Sequence, residues 1–397
     1  MAIHFSPPDI REEDIGAVVD VLRSGWITSG PVVRQFEKAL AAYVGVEHVV
    51  ALNSCTAALE MALRLLKIGP GDQVIVPAYT YSASASVVTH VGAELVLVDT
   101  QPMCFAPSID QILEAVTENT KAIVVVDLGG VPYDATELRR RLDERACDEE
   151  TGPRPAVIVD GAHSLGARRH GIAAGGLGDY TAFSFHAVKN LTTAEGGALT
   201  WRSDLPGDSA ARAAEVRRLS LHGQTKDALA KSEAGAWEYD IVEPAYKANM
   251  PDILAALGVS QLRRYPEMLE RRRELVRLYR RHLDPSISML DHFGDDFESS
   301  AHLLLVDLGE ASARRERIVA ALARAGISTN VHYKPLPRLT AYKRMGFDIG
   351  QYPNADRQYA RVLSLPLHTH LTDEDVETVA SALNRVVAAA VAEDGVE

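Results

Sequence analysis

Lys189 has the strongest claim to chemistry in this chain, because of where it falls. It closely follows an apolar run, 180–185, that reads as a strand buried inside a parallel sheet. Lysine is almost never buried without a partner. A desolvated lysine holds its proton less tightly and becomes a nucleophile able to form a Schiff base with a carbonyl. Taken alone, Phe183-Ser184-Phe185-His186-Ala187-Val188-Lys189-Asn190 fits equally well a surface lysine that closes a turn between strands.

Three further stretches carry reactive or binding side chains at comparable places. The run 156–159 leads into Asp160-Gly161-Ala162-His163-Ser164, which puts a carboxylate at a strand end. The run 48–52 leads through Asn53-Ser54-Cys55-Thr56 into the helix-forming stretch 57–66. Free amides and the helix dipole make such a turn a ready anion site, although ordinary N-capping by Ser54 or Thr56 fits the same residues. After the strand 73–76, Pro77-Ala78-Tyr79-Thr80-Tyr81 brings aromatic rings to the start of a helix reaching Val91.

The elements that must hold these residues alternate. Helical periodicity over 10–22 and 33–43 precedes the first strand, and strands 94–98 and 121–126 follow among helices of ten to fifteen residues. That pattern predicts βαβ units and a largely parallel sheet. Ligands bind such sheets at the carboxyl ends of strands. All four stretches sit there, so one shared crevice is expected. The segment 146–155 reads as an exposed loop. The stretch 222–250 is long and aperiodic, as a segment covering a site or an interface would be. Pro251 starts a helix, and 268–283 reads as an Arg-rich helix with a solvated face. A second α/β pattern begins near Ser299: strand 302–306, helix 311–325, extended 329–333, helix 339–345, strand 362–367 and helix 373–392. The division expected is a large domain, 1–250, with an N-terminal arm, and a smaller C-terminal domain, 251–397.

Composition narrows the class. The chain has 397 residues, 47% apolar and 24% charged, with a net charge of −13, which disfavours nucleic acid and anionic membrane as partners. Cys55, Cys104 and Cys147 have neither metal-ligand spacing nor an even disulfide count, so no metal is expected. No signal peptide or membrane-length apolar run is read, and a cytoplasmic protein is expected.

Asp160 and Lys189 together are the pair that pyridoxal 5'-phosphate requires, an acid for the pyridinium nitrogen and a lysine for the aldehyde. The turn after Ser54 and the Ser184 hydroxyl would take the phosphate, and an aromatic from 79–81 would stack on the ring. Here the sequence resembles the DegT/DnrJ/EryC1/StrS sugar aminotransferases of the aspartate aminotransferase (type I) fold. The likeness runs from Trp26-Ile27-Thr28-Ser29-Gly30 to Leu363-Ser364-Leu365-Pro366-Leu367-His368. It is carried by Asn53 through Leu59, Gly71-Asp72 with Val76-Pro77, Asp160 through His163, Phe183 through Asn190, Glu195-Gly196-Gly197, and Tyr246-Lys247-Ala248-Asn249-Met250.

The resemblance implies an α/β fold whose large domain holds a mostly parallel seven-stranded sheet between helices, beside a smaller C-terminal α/β domain. It implies Lys189 on the cofactor aldehyde and Asp160 on the ring nitrogen. Thr56, the turn at Cys55 and Ser184 fall to the phosphate, Tyr81 stacks on the ring, and His163 faces the ring hydroxyl. A homodimer with shared sites is implied, the partner subunit's Lys247 or Asn249 reaching the phosphate. Glutamate would be the amino donor and a nucleotide-linked 4-keto-6-deoxy sugar the acceptor, at carbon 4 on the strength of Asn330-Val331-His332-Tyr333-Lys334-Pro335-Leu336. His332 and Tyr333 are candidates for holding the sugar, and Thr28 and Ser29 for the nucleotide; packing and loop structure explain these four as well. Many members carry glycine at Cys55, glutamine at His163 and Asn-Tyr-Arg at Lys247-Ala248-Asn249. A histidine facing the ring hydroxyl is expected to titrate near neutral pH. Amination at carbon 3 or of a cyclitol ketone, and a non-catalytic sensor on the same fold, are the rival readings. The dehydratase variant carries histidine where Lys189 stands.

Overall fold

The structure is a computed structural model that describes residues 2–149, 153–226 and 238–394. Helices α1 (Glu12–Ser24) and α2 (Pro31–Val44) precede strand β1 (Val49–Leu52) and helix α3 (Cys55–Leu65). Then come β2 (Gln73–Pro77), α4 (Ala83–His90), β3 (Glu94–Val98), α5 (Ile109–Ala115), β4 (Thr120–Val126), α6 (Ala135–Glu149) and β5 (Ala156–Asp160). After the short β6 (Arg168–Arg169) and β7 (Ile172–Ala173), β8 (Tyr180–Ser184) and β9 (Gly197–Trp201) complete the main sheet, and α7 (Ser209–Ser220) follows.

That sheet has seven strands in the order β1-β9-β8-β5-β4-β2-β3. Neighbours from β8 through β3 pair parallel, and β9 runs antiparallel to both β1 and β8. Its strands are apolar on both faces because both faces are covered. In β1, Val50 and Leu52 join one core while Val49 and Ala51 join the other; Ile158 and its neighbours Val157 and Val159 divide the same way in β5. The mostly parallel seven-stranded sheet is the one expected.

The C-terminal part is built on α8 (Asp252–His282), the two-residue β10 (Ser288–Met289) and β11 (Phe297–Glu298), and β12 (Leu304–Asp307). Helices α9 (Arg315–Arg324), α10 (Thr340–Arg344) and α11 (Pro353–Arg361), strand β13 (Val362–Leu365) and helix α12 (Asp373–Asp394) complete it. Strands β10, β12 and β13 form a small antiparallel sheet with its own core, into which α8 and α12 send Leu275, Tyr279, Val379 and Leu383.

Several local expectations change. Residues 146–149 continue helix α6 rather than forming loop. The helix begun at Pro251 and the Arg-rich helix are one 31-residue helix running through Pro266, and it packs on α1, α2 and α12. Its basic face is divided: Arg277, Arg280 and Arg281 are exposed as expected, but other arginines turn inward. Arg264 is buried and donates to Asp14 Oδ2 at 2.7 Å and to the Asp9 carbonyl at 2.6 Å. Arg272 is buried too, and donates to the carbonyls of Ala301, His302 and Leu367 at 2.8–2.9 Å. Buried carbonyls need donors, and the long guanidinium supplies several from one side chain. Within 222–250, residues 227–237 lie outside the described residues; the flanks pair at Gln224 and Ile241.

Candidate active site

The sheet assembles the site at its carboxyl edge. Leu52, Asp160 and Ser184 are the last residues of β1, β5 and β8, and the turn 53–56 leads from β1 into α3. Strand β9, being antiparallel, brings its amino end to the same edge, where Gly197 pairs with both Leu52 and Ser184. Only glycine fits at 197: a Cβ there would lie 2.3 Å from the Ser54 carbonyl carbon and 2.4 Å from the Cys55 nitrogen. The Glu195-Gly196-Gly197 motif thus lets a strand lie against a helix N-terminus.

The resulting cleft has a cavity volume of about 400 Å³. Lys189, Asp160, Thr56, Cys55, Ser184, Tyr81, His163 and Tyr333 all line it. Ser54 caps α3, its hydroxyl accepting from the Ala57 N–H at 3.1 Å, as the capping reading has it. Tyr81 is exposed on its outer side, with its ring 5.7 Å from that of Tyr333.

Protein surrounds Lys189 except toward the cleft. Burial pulls its amine down to about 8, against the opposing pull of nearby Cys55 and Asp160. Burial pushes the Cys55 thiol well up, with Asp160 adding to the effect. Asp160 Oδ1 accepts the Ala162 N–H at 3.2 Å, and its Oδ2 accepts the Ser84 hydroxyl at 2.6 Å.

His163 departs from its expectation. Burial, then the charges of Lys189 and His332, hold it well below the usual imidazole range, so it does not titrate near neutrality. Its hydrogen bonds agree: Gly129 N–H points at Nδ1 at 3.2 Å, which leaves the ring proton on Nε2, 3.1 Å from the Tyr333 hydroxyl oxygen. With Nε2 as donor, Tyr333 keeps its own O–H to donate elsewhere.

The remaining candidates lie apart. His332 does not line the cleft; its Nδ1 is 2.8 Å from Ser364 Oγ, its ring stacks on Phe5, and burial pulls it down to about 4. Its carbonyl accepts from Tyr79 Oη at 2.9 Å, and Tyr79 Oη in turn accepts the Tyr333 N–H at 2.9 Å. Ser29 and Asn249 line a second cavity beside Met250, with Asn249 Nδ2 2.5 Å from Ser29 Oγ. Lys247 donates to Asn249 Oδ1, and the Thr28 carbonyl accepts from Asp252 N–H. Sequence reasoning did not single out Ser84, Thr80 or Asn190. Asn190 joins the Lys189 loop to the C-terminal part through the Ser300 carbonyl at 2.8 Å and His302 Nδ1 at 2.9 Å. The signal for Ser84 was there, two hydroxyls four residues apart entering an alanine-rich helix, but it reads as capping.

A carbonyl-seeking amine, a fixed carboxylate and a helix N-terminus flanked by hydroxyls are the donor set that pyridoxal phosphate calls for, and the cleft holds all three. These features and the sheet define a pyridoxal-phosphate-dependent aminotransferase of the type I fold. Comparison with known proteins agrees. A model of the DegT/DnrJ/EryC1/StrS aminotransferase family matches residues 8–384. The chain is 38% identical to the spore coat polysaccharide biosynthesis protein SpsC of Bacillus subtilis, over 97% of both chains. It is 34% identical to UDP-4-amino-4-deoxy-L-arabinose–oxoglutarate aminotransferase of Shewanella sediminis, over 98% of this chain and 99% of the other. The PLP form of Spr1654 from Streptococcus pneumoniae, described as a sugar aminotransferase, superposes with a TM-score of 0.93 at 45% identity, over 98% of this chain and 100% of that one. The chain belongs to the DegT/DnrJ/EryC1/StrS aminotransferase family.

Proposed function

We propose that this aminotransferase carries an amino group from glutamate to carbon 4 of a nucleotide-linked 4-keto-6-deoxy sugar, in deoxyamino-sugar biosynthesis. The observation that carries the reading is the pairing of desolvated Lys189 with Asp160 in one cleft walled by Tyr333, from the His332-Tyr333-Lys334-Pro335 segment. Relatives named for a 4-amino-4-deoxy sugar nucleotide and for polysaccharide biosynthesis support the sugar acceptor.

Bound there, pyridoxal phosphate supplies an electron sink and a carrier for the nitrogen. Lys189 holds the cofactor until the donor arrives. Freed, its amine carries a proton between the donor's α-carbon and the cofactor carbon that takes the nitrogen. Asp160 would face the ring nitrogen, Thr56, Ser184 and the turn at Cys55 would hold the phosphate, and Tyr81 would cover the ring. The Tyr333 hydroxyl, relieved of donating to His163, is a donor for the acceptor sugar. In this reading residues 1–250 form the cofactor domain and 251–397 the smaller one. Two chains share each site, and the partner subunit's Asn249 or the partner subunit's Lys247 completes the phosphate pocket.

The test is transfer of ¹⁵N from labelled glutamate to a panel of thymidine- and uridine-diphosphate keto sugars, with the aminated carbon located by NMR. Label at carbon 4 is expected. Label at carbon 3, or transfer only to a cyclitol ketone, would refute the acceptor named here.

A further inference from the structure

Asp160 is held by more than its own strand. A carboxylate turns easily about its last side-chain bond, whose energy minimum is broad. The Ala162 N–H binds one oxygen, Oδ1, and by itself would act as a pivot. Ser84, in the first turn of α4, takes the other oxygen with a short hydroxyl bond of 2.6 Å to Oδ2. A carboxylate oxygen only accepts, so the Ser84 hydrogen is committed to it. Thr80 Oγ1, 2.8 Å from Ser84 Oγ, is therefore the donor of the next bond. Cys55 Sγ lies 3.7 Å from Oδ1 and 3.4 Å from the Ala182 carbonyl, a weaker contact divided between two acceptors. Thr80, Ser84, Cys55 and Asp160 are all buried. Ser84 does not line the cleft. Whatever it does for a ligand it does through Asp160.

We propose that Ser84, backed by Thr80, is a positioning residue for the reaction: the chain Thr80–Ser84–Asp160 locks the carboxylate in the orientation that meets the cofactor's ring nitrogen. The inference rests on the reading of Asp160 as the partner of that nitrogen. Bonds to a charged acceptor are the strong ones, and linked hydroxyls polarise one another. An anchor of this kind removes the pivot at no cost in cleft volume. It also puts the carboxylate under the control of two elements, β5 and α4, whose relative position is fixed by the core between them.

A double-mutant cycle on the full-length protein, stripped of cofactor, tests this by titration with pyridoxal phosphate and by the rate of the half-reaction with glutamate. Asp160→Asn should weaken cofactor binding by about a hundredfold, and Ser84→Ala by about tenfold. Ser84→Thr, which keeps the hydroxyl, should stay near wild type. Thr80→Val should give a smaller loss than Ser84→Ala. In the Asp160→Asn background, Ser84→Ala and Thr80→Val should cost nothing further. Equal losses in both backgrounds would show a packing role and overturn the inference, as would wild-type binding by Ser84→Ala. Wild-type binding by Asp160→Asn would bring down the reading of Asp160 itself, and this inference with it.

Discussion

Lys189 and Arg272 are both cations enclosed by protein, and they are treated in opposite ways. Arg272, pulled by burial down to about 10, spends its donors on the three carbonyls it reaches across the C-terminal part. The Lys189 side chain makes no hydrogen bond or ion pair among the described residues, its backbone N–H alone donating to the His186 carbonyl, and it faces a cavity. The first arrangement joins helix α8 to the segments that precede β12 and follow β13. The second leaves a desolvated amine without a fixed partner, which is costly to the fold and useful to a reaction. On the function proposed, the contrast separates a charge that serves architecture from one that serves chemistry.

Substitution should expose that contrast most strongly at Lys189. Lys189→Met removes the nucleophile and should lower amino transfer by about 10,000-fold or more. It should also raise stability by on the order of 1 kcal/mol, read as a higher urea midpoint, because a buried unpaired amine is gone. Arg272→Met should do the reverse in kind: stability falls by about 3–5 kcal/mol as three carbonyls lose their donors. Cofactor affinity per folded molecule should hold. Equal stability losses in the two variants would erase the distinction.

The pH response sharpens it further. The folded amine of Lys189 gives up its proton near 8, against 10.5 for a free lysine. Between those values the unfolded chain binds the extra proton, so stability should rise with pH across that window. Lys189→Met should flatten the rise in a urea-midpoint series. Cofactor capture by the stripped protein should quicken as pH climbs toward 8 and level off above it, measured by stopped-flow absorbance.

Replacing both Lys247 and Asn249 with alanine should weaken cofactor binding by about tenfold. If two chains share each site as proposed, mixing this variant with Lys189→Met should recover activity above the sum of the two, since a mixed dimer would keep one intact site; no recovery would count against the shared site. The smallest effect is expected at His163. Because that ring is already neutral, His163→Gln should leave the pH profile of kcat unshifted, whereas a titrating histidine would move it.

How far these features could be read in advance depended on whether their cause was local. Lys189 and Asp160 stood out because each follows a short apolar run, and the two-faced burial of those runs shows in the sequence as continuous hydrophobicity. Strand β9 escaped notice because its opening glycines read as part of the site loop; that Gly197 must lack a Cβ for the strand to pass the Ser54–Cys55 peptide is a matter of tertiary approach. The arginines of α8 looked like a solvated face because charge is ordinarily a surface property. The acceptors of buried Arg272 are main-chain carbonyls, which every residue has and no sequence marks. The neutrality of His163 depends in the same way on Gly129 and on burial, both set by distant segments. Ser84 was hidden by resemblance to an ordinary helix start.

One detail of the cleft reaches beyond the reaction. Tyr79 grips the 332–333 peptide from both sides, and Asn190, next to the reactive lysine, grips Ser300 and His302. The two jaws of the cleft are therefore fastened to each other at Tyr333 and at residues adjoining the lining, Tyr79 beside Thr80 and Asn190 beside Lys189. A bulkier acceptor cannot be admitted by spreading them without breaking bonds beside Lys189. Changes of ligand across relatives should then accumulate at the open rim, around Tyr81 and the N-terminal arm at Ser6, whose hydroxyl donates to the Val188 carbonyl, while the gape of the jaws stays constant.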